Sequence, residues 1–120
     1  MNISQDMSIN QKDLATKLSG RFRNCLSLLG LSRDEHIFDI DLSYITFFQD
    51  QDALGFIKTV QEFYQKLDPL DRILFINEYL EFGRHQKYWW LYYFDLEDFR
   101  KARDDMVHLV NEKLGGCLDA

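Results

Sequence analysis

Hydrophobic residues recur along most of this chain at spacings of three and four, the repeat of an amphipathic helix. Four segments carry the pattern: residues 10–29, 50–67, 69–82 and 96–114. Gly20, inside the first segment, is expected to weaken that helix by about 1 kcal/mol. Residues that favour helix ends bound the segments. The expected caps and stops are Asn10, Gly30, Asp50 or Asp52, Asp68 before Pro69, Gly83, Asp95 and Gly115-Gly116.

Two segments lack this regularity. In residues 31–50, Phe38, Ile40 and Leu42 alternate with two aspartates, but the alternation is short and has no evident partner strand. It predicts an extended loop that leads into a short helix near residues 42–48. Residues 84–94 are mostly aromatic, and we expect a second short helix there, over residues 85–93.

The predicted fold class is therefore all-α: one compact domain over residues 1–120 with five or six helices. Residues 1–9 are expected to be a disordered N-terminus and residues 115–120 a frayed tail. Residues 68–114 are laid out as a helix-turn-helix-like three-helix unit. The composition agrees, because 46% hydrophobic and 28% charged residues are typical of a globular domain and exclude general disorder.

Charge and targeting features narrow the function classes. The net charge is −6 and neither half of the chain is basic, so strong non-specific attraction of the whole domain to nucleic acid is not expected. No apolar run approaches a membrane span, and the N-terminus lacks the layout of a secretory signal. We therefore expect a cytoplasmic protein with no membrane partner, in which Cys25 is a small buried hydrophobe.

Catalytic and metal-binding signatures are missing from the sequence. It has no glycine-rich phosphate loop and no paired zinc-binding histidines, and the three histidines (His36, His85 and His108) lie far apart. Cys25 and Cys117 match no metal spacing. The expectation is a protein without catalysis, metal, cofactor or small-molecule substrate.

The most distinctive local feature is the aromatic run over residues 88–94, in which six of seven residues are aromatic. On a helix these rings would cover every face, so they cannot all point into one core. In one interpretation the short helix is wedged between two longer ones and mostly buried. In the other, some rings are exposed and form a dimer or partner surface. Its anchors would be Trp89, Trp90, Tyr92 and Tyr93.

The helix-turn-helix layout supplies a different candidate site. In such a unit the N-terminal half of the last helix enters the major groove of DNA. Arg100, Lys101 and Arg103 would then contact bases or phosphates, and Arg84 and Lys87 phosphates only. Residues 95–105 carry five acids against three bases, however, a balance that a groove-reading helix would normally avoid.

Residues 63–74, followed by Tyr79-Leu80, resemble the opening of ArpU-type phage regulators and of the promoter-reading C-terminal domain of sigma factors. Residues 92–103 are similar to the turn and recognition helix of those proteins. A second similarity links residues 9–18 to the first helix of repressor-type helix-turn-helix proteins. The resemblance implies a phage or bacterial protein that acts in transcription.

Two function hypotheses follow from the sequence. In the first, the protein is transcription-related and binds double-stranded DNA or a protein of the transcription machinery. In the second, it is an acidic protein-interaction module or inhibitor that uses an exposed aromatic surface, with a homodimer as one arrangement. They differ in which residues they need: the basic residues in the first and the aromatic residues in the second.

Overall fold

The computed structural model describes residues 9–31, 50–83 and 87–118. Within these ranges the chain has four α-helices and no strand: α1 (Ile9–Leu28), α2 (Gln51–Gln65), α3 (Pro69–Phe75) and α4 (Leu96–Leu118). A π-helix (Ile76–Leu80) continues α3, and a 3₁₀ turn (Trp89–Tyr92) precedes α4. The loop and the short helix predicted for residues 31–50 lie outside the described residues, except for residues 31 and 50 themselves. His36, Arg84 and His85 also lie outside them.

Helix α1 has the predicted face and the predicted end. Its core residues follow the spacing of three and four: Ala15, Leu18, Phe22, Cys25 and Leu26. The helix runs through Gly20 without interruption and ends in a Schellman motif. There the Leu31 N–H donates to the Leu26 carbonyl at 2.9 Å, and the Gly30 N–H donates to Ser27 at 3.0 Å. Gly30 has φ +68°, the left-handed conformation that glycine adopts without strain.

Helices α2 and α4 begin at aspartate caps. The Asp50 carboxylate accepts the N–H of Ala53 at 2.9 Å, which decides between the two predicted caps of α2. The Asp95 carboxylate accepts the N–H of Asp98 at 2.8 Å, as predicted. Asp68 precedes Pro69 in an extended conformation, but its side chain makes no capping hydrogen bond. Proline at the first helical position therefore defines the start of α3.

The third helix differs from the single α-helix predicted over residues 69–82. After Phe75 it widens into the π-helix, and Gly83, with φ +85°, follows a short turn. Three successive residues, Glu78, Tyr79 and Leu80, are buried there. The π-helix lies against α1. The burial of these three residues therefore coincides with the wider turn of the helix.

The predicted stop at Gly115-Gly116 is wrong, because α4 continues to Leu118. Tertiary contacts offset the low helix propensity of the two glycines. Leu114 is buried, Cys117 and Leu118 pack against the core, and the Arg21 guanidinium of α1 donates a hydrogen bond to the Cys117 carbonyl. The last turn of α4 is thus held by α1, which the local sequence cannot indicate.

Candidate functional site

Two groups of residues were predicted to carry function: the basic residues near the start of α4 and the aromatic run before it. The 3₁₀ turn and the capped start of α4 place both groups on neighbouring stretches of chain. Lys87, Arg100 and Lys101 are exposed, while Arg84 lies outside the described residues. Lys101 faces Asp105 one turn along, with 4.0 Å between the ammonium and the carboxylate. Both of those side chains are largely solvated, so the pair adds little to stability.

Arg103 is not part of this exposed basic group. Only 8% of the residue is exposed, and its guanidinium forms a two-pronged ion pair with Glu78, which is 1% exposed. The Arg103 Nη2–Glu78 Oε2 distance is 2.6 Å and the Nε–Oε1 distance is 2.9 Å. Because two of its donors bind Glu78 in the interior, the Arg103 side chain does not contact solvent in a way that would let it bind DNA or another ligand in this conformation.

The ion pair belongs to a buried polar network that joins three elements. Gln11 of α1 donates from Nε2 to Glu78 Oε1 at 3.2 Å. The Arg103 guanidinium also lies over the Phe99 ring, 4.4 Å from its centre. One carboxylate of the π-helix therefore accepts hydrogen bonds from both α1 and α4. Buried charges need such partners, because an unpaired charge in the interior is strongly destabilising.

Sequence reasoning missed this network although its spacing could have suggested it. Phe99, Arg103, Met106 and Val110 are separated by four, three and four residues, which places Arg103 on the buried stripe of α4. On hydrophobicity alone, Ala102 would be assigned to the buried stripe at that turn, but it is only half-buried. A single charged residue on an apolar stripe indicates a buried ion pair. No comparable pattern in the sequence identifies Glu78 of the π-helix as its partner.

The aromatic run divides into a buried pair and an exposed group. Trp89 and Trp90 are buried in the core. Trp90 stacks on Phe99 with the ring centres 4.7 Å apart, and Trp89 meets the same ring edge-on at 5.8 Å. The predicted partner-binding residues Trp89 and Trp90 are therefore core residues here, and the interpretation of a wedged element describes them.

The exposed residues of the run, together with Lys87 just before it, form what we call the tyrosine surface: Lys87, Tyr88, Leu91, Tyr92 and Tyr93. Tyr92 is 84% exposed and Leu91 is 61% exposed. Lys87, Tyr88, Leu91 and Tyr92 line one open recess of about 440 Å³. Tyr93 leans on Trp89, with the ring centres 6.3 Å apart, so the buried indole supports one edge of the surface.

Acidic side chains dominate the exposed part of α4 next to this surface. With Arg103 inside, the exposed charges of residues 95–105 are five acids against two bases, Arg100 and Lys101. Asp71 of α3 lies beside two of these acids, Asp98 and Asp105, at a shallow recess. Burial raises the pKa of Asp71, and the negative charges of Asp68 and Asp105 raise it further.

Among residues 9–31, 50–83 and 87–118, no group of three or more histidine, cysteine, aspartate or glutamate side chains is arranged to hold a metal ion. Cys25 is buried as predicted, and burial raises the pKa of its thiol. None of the helices in these ranges is both long and apolar enough to cross a membrane.

No known protein family, curated protein or solved structure matches this chain.

Proposed function

We propose that this protein is an interaction module that binds a protein partner through the tyrosine surface. The observation that carries the proposal is the contrast within four residues of one turn. Trp89 and Trp90 are fixed in the core, while Leu91 and Tyr92 project into solvent. Adjacent exposed aromatic and aliphatic side chains are typical of interaction sites, in which tyrosine is a favoured anchor.

The buried indoles also favour binding energetically. Both of them contact the ring of Phe99, which is itself fully buried on α4. The backbone that carries Leu91 and Tyr92 is therefore held in place before a partner arrives. Pre-organisation of this kind lowers the entropy lost on association, so a small surface can bind more tightly than a mobile loop of the same composition.

The charge balance supports a protein partner over double-stranded DNA. A DNA-reading helix supplies cations to phosphates, but only two of the three predicted cations of α4 are exposed, among five exposed acids. Binding of a duplex through a helix-turn-helix unit, with Arg100, Lys101 and Lys87 as contacts, is the competing proposal. The two proposals need different side chains, so one set of variants separates them.

The test compares two surface variants of the full chain in an extract of the source cell. We expect partner binding to be lost in the double variant Leu91→Ser/Tyr92→Ser and retained in Leu70→Ser. Leu70 is 45% exposed on α3 and controls for the loss of an exposed apolar side chain elsewhere. All three substitutions are at exposed positions, so melting curves should stay close to that of the wild type.

Sedimentation and DNA binding complete the experiment. Self-association that disappears in Leu91→Ser/Tyr92→Ser would make a second copy of this chain the protein partner. Binding to a labelled duplex is measured by anisotropy at about 50 and about 200 mM salt, because phosphate contacts weaken steeply over that range. Salt-sensitive duplex binding that Arg100→Glu/Lys101→Glu abolishes and Leu91→Ser/Tyr92→Ser preserves would overturn the proposal.

A further inference from the structure

We infer that Arg103 is a positioning residue for the tyrosine surface. Paired with Glu78, it fixes the Phe99 ring against which the 3₁₀ turn (Trp89–Tyr92) packs. This inference rests on the proposed function and identifies the part of the interior that keeps the proposed binding site in shape. Three sets of contacts carry it, and they connect the π-helix to the backbone of the turn.

The first contacts fix the guanidinium group. Glu78 accepts two hydrogen bonds from Arg103, at 2.6 and 2.9 Å, and a third from Gln11 of α1 at 3.2 Å. A bidentate pair of this kind fixes the plane of the guanidinium as well as its position. Because Arg103 and Glu78 are both buried, water does not compete strongly for these bonds.

The second contacts connect the guanidinium to the aromatic run. The Arg103 guanidinium carbon lies 4.4 Å from the centre of the Phe99 ring, within the range of a cation–π interaction. The centre of the same ring lies 4.7 Å from that of Trp90, 5.8 Å from that of Trp89 and 6.0 Å from that of Phe94. One fully buried ring therefore joins the ion pair to three residues of the run.

The third contacts lie in the backbone of the turn. The Trp90 carbonyl accepts the N–H groups of Tyr93 and Phe94, each at 2.9 Å. The two residues between Trp90 and Tyr93 are the exposed pair that is proposed to bind the partner. The Trp90 indole stacks on Phe99 with the ring planes 6° apart. A displaced Phe99 ring would therefore displace Trp90 and, with it, the backbone that carries the exposed pair.

The test uses the full chain and needs no ligand. Trp89 and Trp90 are the two tryptophans of the sequence, so tryptophan fluorescence reports on this turn alone. In Arg103→Met, acrylamide should quench the fluorescence of the folded protein more strongly than in the wild type. Hydrogen exchange of the Tyr93 amide should become faster by at least about tenfold, because local opening of the turn exposes it.

Leu26→Ala is the matched control for lost stability. Leu26 is buried about four turns beyond Gln11 on α1, about 22 Å along the helix axis. Its truncation also lowers overall stability, so exchange through global unfolding becomes faster in both variants. Quenching of the folded protein should stay at the wild-type value in Leu26→Ala, since that substitution does not touch the turn.

Arg103→Lys tests the inference if the methionine variant does not fold. Lysine keeps a positive charge beside Glu78 but lacks the planar fork that binds both carboxylate oxygens. The variant should therefore fold, with tryptophan quenching still above the wild-type value. Wild-type quenching in a folded Arg103→Met, or in Arg103→Lys where Arg103→Met is unfolded, would show that Arg103 does not position the turn.

Binding is measured with the protein that the wild type captures from the cell extract and Leu91→Ser/Tyr92→Ser does not. If the turn is in place in about one molecule in ten, the apparent affinity falls about tenfold. We expect this loss in Arg103→Lys and not in Leu26→Ala. Wild-type affinity in an Arg103→Lys protein whose turn is loosened would also refute the inference. The proposed function fails separately, if no captured protein requires Leu91 and Tyr92, and the fluorescence and exchange measurements then still decide whether Arg103 positions the turn.

Discussion

Replacement of Arg103 by methionine tests whether the charge between α4 and the π-helix is a structural element. Methionine keeps most of the aliphatic length of arginine and removes the guanidinium. The Glu78 carboxylate, 1% exposed, then loses two charge-assisted hydrogen bonds of 2.6 and 2.9 Å and keeps one from Gln11 at 3.2 Å. Removal of one partner from a buried ion pair costs about 3–5 kcal/mol, because the remaining charge stays buried without compensation.

Urea unfolding followed by circular dichroism measures this loss. With a slope of about 1.5–2 kcal/mol per molar, typical of a small domain, the midpoint should fall by roughly 2 M. Arg100→Met is the matched control, because Arg100 is exposed on the same helix. That substitution should change the free energy of unfolding by no more than about 0.5 kcal/mol.

A double variant separates the charge from the packing. In Glu78→Leu/Arg103→Met no buried charge is left unpaired, so the loss should be clearly smaller than the sum of the two single losses. A loss below about 1 kcal/mol in Arg103→Met would show that Glu78 is solvated or re-partnered. The buried network would then be refuted, and Arg103 would return to the residues that can bind a ligand.

Three further substitutions test the interior and the backbone. The hydroxyl of Tyr79 is buried near the side chain of Gln11 but makes no hydrogen bond of good geometry among the described residues. Burial and the charge of Glu78 raise its pKa, and the smaller opposing effects of Gln11 and Arg103 do not reverse that direction. Below pH 10 Tyr79→Phe should be as stable as the wild type or up to about 1 kcal/mol more stable. Above about pH 10 tyrosine ionises more readily in the unfolded chain, so the wild type should lose stability relative to Tyr79→Phe by up to about 1.4 kcal/mol per pH unit. The prediction is contradicted if the difference in unfolding free energy between the two proteins, measured in urea, is the same at pH 11 as at pH 7. Gly83→Ala should lower the free energy of unfolding by about 1 kcal/mol, because φ is +85° there. Gly20→Ala, inside α1 with open space around the added methyl, should raise it by up to about 1 kcal/mol. Equal thermal shifts for the two alanine variants would refute the assigned backbone conformations.

Local sequence was sufficient for much of the helical framework. The spacing of apolar residues placed α1, α2 and α4, since an amphipathic face is set by neighbours three and four positions away. Gly30 and Asp95 marked helix ends correctly because a Schellman motif and an N-terminal cap involve only a few adjacent residues. For the candidate site, the sequence identified the aromatic run and left open which of its rings are exposed.

Tertiary structure decided what depends on contacts between distant residues. Gly115-Gly116 did not end α4, because Arg21 and the core hold its last turn across 96 residues of sequence. Arg103 is buried and not exposed with the other predicted basic residues, because Glu78, 25 residues earlier, lies opposite it in the interior. Trp89 and Trp90 are likewise buried because they pack on the Phe99 ring, whereas Tyr92 is exposed. A residue's helical position follows from its near neighbours, whereas its burial and ion pairing depend on which other element packs against it.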